Sequence, residues 1–194
     1  MKQEEVIAYF NSRAPQWDAH MVRNEAVIEK ILDNAGVHGG MDVLDVACGT
    51  GVLMPDYLQR HVHSVTGVDI SPAMADRARK KFPHENVHIL CADIETVHLE
   101  QTYDCCMVYN AFPHFPDPDR LIRVLAGHLK PGGRLSIAHG MSRERLALHH
   151  AGAASHVSIE LPTAGDLAQR MEPWFYVNVI ISNDEMYQVC GTKK

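Results

Sequence analysis

The chain has 194 residues, a net charge of −6 and 46% hydrophobic residues. This length predicts one domain with a core that is stable unaided, and charged residues interrupt each apolar run before it reaches membrane-spanning length. The acidic balance disfavours binding to nucleic acid through its phosphates. Five cysteines, two of them adjacent, are typical of a reduced cytoplasm. We therefore expect a cytoplasmic protein with no membrane span and no nucleic-acid partner.

The first two predicted elements are helices. Apolar residues spaced on one face predict a short helix over residues 3–12 and a second helix over 23–35, which ends at Gly36. The stretch between them contains Arg13 and Trp17. A structural interpretation makes the first helix an amphipathic element at the edge of the sheet, with Trp17 as its core anchor.

Residues 43–53 are the stretch around which the rest of the chain is organised. An apolar run predicts a buried parallel strand, the residues from Ala47 to Gly51 predict a sharp turn open to a ligand, and a helix follows over 52–60. Met54 stands where a dinucleotide fingerprint has its third glycine, and the lysine of a P-loop is missing. Asp45, two positions before the turn, suits a cationic ligand better than a pyrophosphate.

Two further strands end in carboxylates at a repeated spacing. Asp69 follows Asp45 by 24 residues, and Asp93 follows Asp69 by 24. In nucleotide-binding α/β folds, a carboxylate at the end of the second strand accepts hydrogen bonds from the ribose hydroxyls, and we predict this role for Asp69. The alternative is a simple charge at a helix N-terminus, since Ser71 and Pro72 predict a helix that runs to Lys81.

The remaining pattern alternates strands and helices. Strands are predicted over 87–93, 103–110 and 135–139 and helices over 119–129 and 162–171, with a helix stop and turn at 130–133. Residues 174–181 and 187–190 predict a β-hairpin. Between the fifth strand and the last helix, Ser142 predicts a short capped helix that breaks at Gly152.

Four motifs carry a resemblance to a known family. Residues 43–51 closely resemble the first motif of class I S-adenosylmethionine-dependent methyltransferases, and 69–74, 93–94 and 129–135 are similar to its later motifs. The resemblance covers residues 40–194 strongly and 8–39 weakly. It implies a Rossmann-like, seven-stranded, mostly parallel sheet with helices on both faces and a C-terminal antiparallel hairpin. It also implies one domain over 1–194, with a helical cap over 1–39 and a lid over 140–161.

The same resemblance implies S-adenosylmethionine as the cofactor and S-adenosylhomocysteine as the product. Asp45 would help to anchor the ammonium group, and Asp93 would accept the adenine amino group with the backbone of Ile94 taking part. Asn110 and Phe112 would lie near the transferring methyl. The implied cofactor residues are Asp45, Ala47, Cys48, Gly49, Thr50, Gly51, Asp69, Ile70, Met74, Asp93, Ile94, Asn110 and Phe112.

The segment from Phe10 to Asp18 resembles the amino-terminal lead of small-molecule methyltransferases related to the quinone-biosynthesis enzymes. That lead folds over the active site, so the resemblance implies that Phe10, Arg13 and Trp17 line or cover the acceptor pocket. The packed amphipathic helix described above is an equally weighted alternative.

Thirteen histidines are the compositional outlier, and several follow the fourth and fifth strands. We take His114, His139 and His150 as candidate catalytic residues and His149 as a candidate for substrate recognition. The structural alternative has His114 tying its loop to the next helix and the lid histidines facing solvent. Neighbours such as His149 and His150 diverge by about 100° on a helix, so we predict no metal site.

The predicted function is methyl transfer from S-adenosylmethionine to a small-molecule acceptor by in-line displacement. One alternative is a nucleic-acid or protein methyltransferase, although Asn110 is not followed by the Pro-Pro-aromatic string of enzymes that methylate nucleic-acid amino groups. Another is a catalytically silent S-adenosylmethionine-binding regulatory module. The sequence does not name the acceptor atom, and it allows a homodimer without deciding the assembly.

Overall fold

The computed structural model describes residues 1–148 and 154–194, together with the backbone of residues 149 and 150. The strands are β1 Asp42–Val46, β2 Ser64–Asp69, β3 Val87–Cys91, β4 Tyr103–Tyr109, β5 Leu129–His139, β6 Phe175–Ser182 and β7 Tyr187–Lys193. These seven strands form one sheet in the order β3-β2-β1-β4-β5-β7-β6. Strands β1 to β5 pair in parallel, and β7 is antiparallel to both β5 and β6. The predicted fold class is therefore confirmed.

Helices cover both faces of this sheet because successive strand residues point to opposite faces. The helices are α1 Gln3–Arg13, α2 Glu25–Ala35, α3 Met54–Gln59, α4 Pro72–Lys81, α5 Pro118–His128, α6 Arg143–His150 and α7 Ala164–Met171. Val43 belongs to an apolar cluster with α2, α3 and α4, whereas its neighbour Leu44 belongs to a cluster with α5 and α7.

Five helices begin at the side-chain caps that their sequences favour. The side-chain oxygens of Asn24, Ser71, Asp117, Ser142 and Thr163 each accept a hydrogen bond from the backbone N–H three residues further on. Gly36 ends α2 with a left-handed φ of 73°. These local signals explain why the helix boundaries follow the sequence closely.

Helix α5 ends at His128, so the predicted helix stop is confirmed, but the turn predicted at residues 130–133 lies inside β5 and is a correction to the sequence prediction. Leu129 pairs with Tyr103, and the next pair joins Arg134 to Cys105, so the four residues between them bulge out of the ladder.

The short helix predicted after Ser142 is α6, and the Ser142 hydroxyl accepts a hydrogen bond from the backbone of Arg145 at 3.2 Å. The predicted break at Gly152 lies outside the described residues. In the described parts of the chain, no helix combines the length and the apolar composition needed to cross a bilayer.

Candidate functional site

Three carboxylates lie at one edge of the sheet. Strand β2 pairs in parallel with β1 on one side and β3 on the other, so the carboxyl ends of the three strands are adjacent. Asp45 is the penultimate residue of β1, Asp69 is the last residue of β2, and Asp93 follows β3 by two residues. The repeated spacing in the sequence thus corresponds to neighbouring positions at the edge where open α/β sheets bind ligands.

Asp45 is a buried carboxyl group that lacks a protein partner at one oxygen. Its exposed fraction is 2%, and its Oδ2 atom has no hydrogen-bond partner among the described residues. Burial, followed by the nearby charge of Asp69, raises the pKa of Asp45 to about 8. A buried carboxylate is costly unless a cation or a donor compensates for its lost hydration. This environment fits a ligand that brings an ammonium group.

The turn after β1 is held in an unusual backbone conformation. Ala47, Gly49 and Gly51 have φ values of 54°, 56° and 86°. A Cβ at Gly51 would lie 2.7 Å from the Phe82 ring, so packing as well as backbone conformation requires glycine there. A Cβ at Gly49 would meet no atom of the described residues within 4 Å. The backbone at Gly49 is therefore open to a ligand, and the strained Ala47 beside it is typical of a functional turn.

Asp69 links the glycine turn to the end of β2. Its Oδ2 accepts a hydrogen bond from the backbone N–H of Gly49 and its Oδ1 from that of Ser71, both at 2.8 Å. Burial raises the pKa of Asp69, and these two N–H groups oppose the shift. Sequence reasoning did not anticipate this bracing role. A carboxylate oxygen accepts more than one hydrogen bond, so the predicted ribose contact is compatible with it.

Asp93 lies at the third strand end and is half-buried. Its Oδ1 accepts a hydrogen bond from the Glu95 backbone at 2.9 Å, and its Oδ2 accepts one from the Gln3 side chain at 2.8 Å. The neighbouring Ile94 is 4% exposed, with its side chain in the apolar cluster of α5 and α7. Two other predicted cofactor residues, Met74 and Ile70, differ in the exposure of their side chains. Met74 is 1% exposed, whereas Ile70 is half-buried.

The ends of β4 and β5 are tied together beside these carboxylates. Asn110 has a φ of 55°, and its Oδ1 accepts a hydrogen bond from the Gly140 backbone at 2.9 Å. The Phe112 ring is fully buried in the cluster of α5 and α7. His139 is also fully buried, and its ring meets Tyr187 edge-on with centroids 6.0 Å apart. Because His139 is completely buried, a packing role is favoured over a catalytic role for this residue. Asn110, in contrast, is exposed at the edge of the site.

The residues 3–20, here called the lead segment, bring aromatic side chains to the same edge. The Phe10 ring lies edge-on to His114 at 4.9 Å and to Trp17 at 5.8 Å between centroids. The structure thus brings three predicted acceptor-side residues together. Arg13 is exposed, with its guanidinium 5.4 Å above the Tyr9 ring.

His114 also contacts the segment that follows α6. Its Nδ1 donates to the Val157 carbonyl at 2.7 Å. This bond partly matches the structural alternative, although it joins the loop to residues 155–157 rather than to α5. The side chains of His149 and His150 lie outside the described residues. Among the residues that the structure describes, no group of three or more His, Cys, Asp or Glu side chains is arranged to hold a metal ion.

Sequence reasoning missed several polar residues that brace the site. Arg23 donates to the Val52 carbonyl at the end of the glycine turn and to both carboxylate oxygens of Asp56, at 3.1 and 2.9 Å. Asp18 accepts a hydrogen bond from the Thr50 hydroxyl at 2.5 Å. These partners are separated by about 30 residues or more in the sequence, and no local pattern signals such contacts.

These features together define a nucleotide-binding α/β domain. They are a mostly parallel sheet, a strained glycine turn, a buried unpaired carboxyl group and two further carboxylates at adjacent strand ends. The acidic lining suits a nucleoside that carries positive charge. Comparison with known proteins identifies the kind of nucleotide-binding domain. Residues 43–133 match the methyltransferase domain family.

Two relatives with assigned names share part of the chain. A malonyl-[acyl-carrier protein] O-methyltransferase of Acetivibrio thermocellus is 32% identical over 67% of this chain and 47% of its own length. A ubiquinone biosynthesis O-methyltransferase of Coxiella burnetii is 34% identical over 69% of this chain and 58% of its own length. The chain therefore spans about half the length of these relatives.

Solved structures share the fold over nearly the whole chain. The DhpI protein, solved with S-adenosylhomocysteine, superposes with a TM-score of 0.77 at 19% identity, covering 98% of this chain and 96% of that one. A SAM-dependent methyltransferase of Aquifex aeolicus gives 0.74 at 20% identity, covering 95% and 98%. Residues 43–133 thus match the methyltransferase domain family in sequence, and the chain has the fold of solved S-adenosylmethionine-dependent methyltransferases, as the sequence motifs predicted.

Proposed function

We propose that the protein transfers a methyl group from S-adenosylmethionine to a small-molecule acceptor by in-line displacement. The observation that carries this proposal is the buried, unpaired carboxyl group of Asp45 beside the open turn at Gly49. Asp69 and Asp93 continue the same acidic edge at the next two strand ends. This arrangement fits a ligand with an ammonium group, a ribose and a base.

Each carboxylate has a distinct task in this proposal. Asp45 receives the ammonium group, Asp69 receives the ribose hydroxyls, and Asp93 with the Ile94 backbone receives the adenine. S-Adenosylmethionine supplies a methyl group already activated by its positively charged sulfur. The protein's main task is therefore to align the acceptor with that methyl and to exclude water. Ala47, Cys48, Thr50, Ile70, Met74, Asn110 and Phe112 complete the proposed cofactor surroundings.

The acceptor side of the proposed site is formed by the lead segment and the histidines. Phe10, Trp17 and His114 form an aromatic wall, and His114 follows the exposed Asn110 by four residues. Because the His114 Nδ1 donates to a carbonyl, its neutral ring carries the lone pair on Nε2. We propose His114 as the base that takes the proton of a hydroxyl or amine acceptor. His139 and His150 remain proposed alternatives for this role, and Arg13 and His149 are proposed acceptor contacts.

A small acceptor is supported by the shape and charge of this edge. The lead segment contacts the loops after β1 and β3, and the net charge of −6 disfavours nucleic acid. The two relatives described above are named O-methyltransferases. Compounds with hydroxyl or carboxyl groups therefore come first among the acceptors to be tested.

Calorimetric titration with S-adenosylmethionine, S-adenosylhomocysteine and NAD tests the cofactor half of the proposal. We expect micromolar binding of the first two and none of NAD. Equal binding of NAD, or no binding of the other two, would contradict the assignment. A screen of phenols, carboxylates, thiols and amines for S-adenosylhomocysteine production then tests the acceptor half, and failure with all classes would favour the silent regulatory module.

We further propose one domain over residues 1–194, with the cap over 1–39 and the lid over 140–161 as the sequence suggests. A reducing compartment is supported by five free cysteines, of which four are buried. A homodimer is supported by the edge strand β6, which exposes Tyr176 and Ile180. Analytical ultracentrifugation at increasing protein concentration tests the dimer.

A further inference from the structure

Asp45 is a buried carboxyl group whose neighbours in the sheet offer it no hydrogen-bond donor. It lies two residues after Val43 in β1, so its side chain points to the same face of the sheet, which α2, α3 and α4 cover. Its cross-strand partners are Gly67 on β2 and Met107 on β4, and neither has a polar side chain. With an exposed fraction of 2% and no partner at Oδ2 among the described residues, this carboxyl group has lost hydration without a replacement at that oxygen.

The charges around Asp45 also disfavour its ionisation. Asp69 ends β2, two residues after Gly67, and its negative charge acts on Asp45. Two backbone N–H groups donate to the Asp69 carboxylate at 2.8 Å, so they stabilise a charge on Asp69 rather than on Asp45. No lysine or arginine among the described residues offsets the repulsion at Asp45. Of these two neighbouring carboxyl groups, Asp45 is therefore the one that keeps a proton at neutral pH.

The other titratable side chains around Asp45 do not compete for this proton. Burial raises the pKa of three thiols and one phenol that interact with Asp45, which are Cys48 in the glycine turn, Tyr57 on α3, and Cys105 and Cys106 on β4. A thiol or phenol with a raised pKa stays neutral at pH 7, so it neither supplies a cation nor releases a proton. Exchange of a proton near the end of β1 therefore concerns the carboxyl groups alone.

We propose that Asp45 carries a proton in the cofactor-free protein and releases it to solvent when the ammonium group of the cofactor binds. This inference rests on the proposed function, since it needs an ammonium group at the end of β1. The O–H bond of the carboxyl group breaks, the proton passes to water or buffer, and the carboxylate that remains pairs with the ammonium group. No electrons are transferred, and each bound cofactor displaces up to one proton. Asp45 thus exchanges one cation for another, which keeps its buried charge compensated.

This exchange makes cofactor affinity depend on pH in the neutral range. A ligand that displaces a proton binds more tightly as the pH rises towards the pKa of the free group, and the gain ends above that pKa. Burial and the charge of Asp69 raise the pKa of Asp45 to about 8. The dissociation constant of S-adenosylhomocysteine should therefore increase about fivefold from pH 8 to pH 7 and about ninefold from pH 7 to pH 6. Mild acidification should thus empty the proposed cofactor site.

Calorimetric titration with S-adenosylhomocysteine in phosphate, HEPES and Tris counts the released protons directly. These buffers differ in their enthalpy of ionisation, so the slope of the observed binding enthalpy against that enthalpy gives the number of protons released. We expect about 0.9 proton per bound ligand at pH 7 and about 0.5 at pH 8. 5′-Methylthioadenosine is the matched control ligand, because it keeps the adenine, the ribose and the sulfur but has no ammonium group. It should bind without releasing a proton, and equal release would contradict the proposal by assigning the proton to a group near the nucleoside, such as Asp69.

Two variants identify the group that releases the proton. Asp45→Asn should bind S-adenosylhomocysteine more weakly, with no proton release and with an affinity that is nearly constant from pH 6 to pH 8. Tyr57→Phe is the matched control, because it removes the other buried hydroxyl group near Asp45 that lacks a hydrogen-bond partner among the described residues. It should release as many protons as the unsubstituted protein. Undiminished release in Asp45→Asn, or its loss in Tyr57→Phe, would overturn the assignment to Asp45.

Infrared spectroscopy supplies a second measurement that does not depend on binding by the weakened variant. The carbonyl stretch of a protonated carboxyl group should be present in the ligand-free protein at pH 7, lost with saturating S-adenosylhomocysteine and reduced in ligand-free Asp45→Asn. If S-adenosylhomocysteine binds the unsubstituted protein with no proton release and no change in this band, the proton exchange is wrong and the proposed function stands. If S-adenosylhomocysteine does not bind between pH 6 and pH 8, the proposed function fails and the proton exchange with it.

Discussion

Asp45→Asn should make the cofactor-free protein more stable at neutral pH while it weakens cofactor binding. Asparagine matches the shape of aspartate but carries no charge. Asp45 is 2% exposed, and its Oδ2 has no hydrogen-bond partner among the described residues. The charged form is therefore unfavourable until a cation arrives, which is why the pKa is raised from 3.8 to about 8.

The size of the effect follows from this shift in pKa. A carboxyl group whose pKa is raised on folding contributes its full stabilisation below its unfolded pKa, and that contribution is lost as the pH rises to the folded value. For Asp45 this stabilisation is lost between about pH 4 and about pH 8. Each pH unit inside it lowers the free energy of unfolding by about 1.4 kcal/mol. Between pH 5 and pH 7 the unsubstituted protein should therefore lose about 2 to 3 kcal/mol more than the Asp45→Asn variant.

Thermal and urea unfolding of both proteins at about pH 5, 6 and 7 measures this difference. For a chain of this size, the expected gap in melting temperature opens by about 5 to 10 °C across the range. Asp69 remains in both proteins, so its own pH dependence largely cancels. The exposed Asp184→Asn is the control and should follow the unsubstituted protein. Parallel pH profiles for the Asp45→Asn variant and the unsubstituted protein would refute the reasoning that Asp45 is buried without compensation.

Calorimetry of the Asp45→Asn variant completes this test. Loss of a charge-assisted contact to the ammonium group should weaken S-adenosylhomocysteine binding by about 1.5 to 3 kcal/mol. A variant that is more stable but binds the cofactor as well as before would show that Asp45 is not part of the cofactor site.

Three further predictions concern single side chains. Asp69→Ala should weaken cofactor binding by about 1.5 to 3 kcal/mol in calorimetry, and unchanged affinity would remove the ribose assignment. Gly51→Ala should lower the free energy of unfolding by about 1 to 3 kcal/mol in urea titrations, because its φ is 86° and the new Cβ would lie 2.7 Å from the Phe82 ring; a neutral effect would mean that the turn relaxes freely. His150→Ala should leave S-adenosylhomocysteine affinity intact and lower turnover on the true acceptor, and full turnover would return His150 to a structural role.

Local signals in the sequence predicted most of the fold. The period of apolar residues gave the helices and strands, and caps such as Ser71 and Thr163 set where helices begin. The regular carboxylates at Asp45, Asp69 and Asp93 could be predicted because each strand-helix-strand unit has a similar length, which places equivalent residues at the same sheet edge. These features depend on neighbours within a few residues or on a repeated unit, and both are visible in a single sequence.

Contacts between distant parts of the chain could not be predicted in this way. The guanidinium of Arg134 donates to the carbonyls of Ala35 and Asn34, about 100 residues away, and so fixes the end of α2 against β5. The bulge at residues 130–133 has the glycine and proline composition of a turn, and only the pairing with β4 shows that the strand has already begun. The full burial of His139 likewise depends on β7 packing beside it, which no property of its own strand signals.

The cofactor half and the acceptor half of the proposed site therefore lie in different parts of the chain. The family match covers residues 43–133, which include every carboxylate of the proposed cofactor edge. It does not include Phe10, Trp17 or His139, nor the residues after α6. The proposed cofactor contacts thus lie in a part of the chain whose geometry follows from a repeated unit, whereas the proposed acceptor wall comes from segments brought in by tertiary contacts. Relatives that share the matched region can accordingly differ in acceptor while keeping one cofactor, so the lead segment and the residues around α6 are where acceptor specificity should be sought.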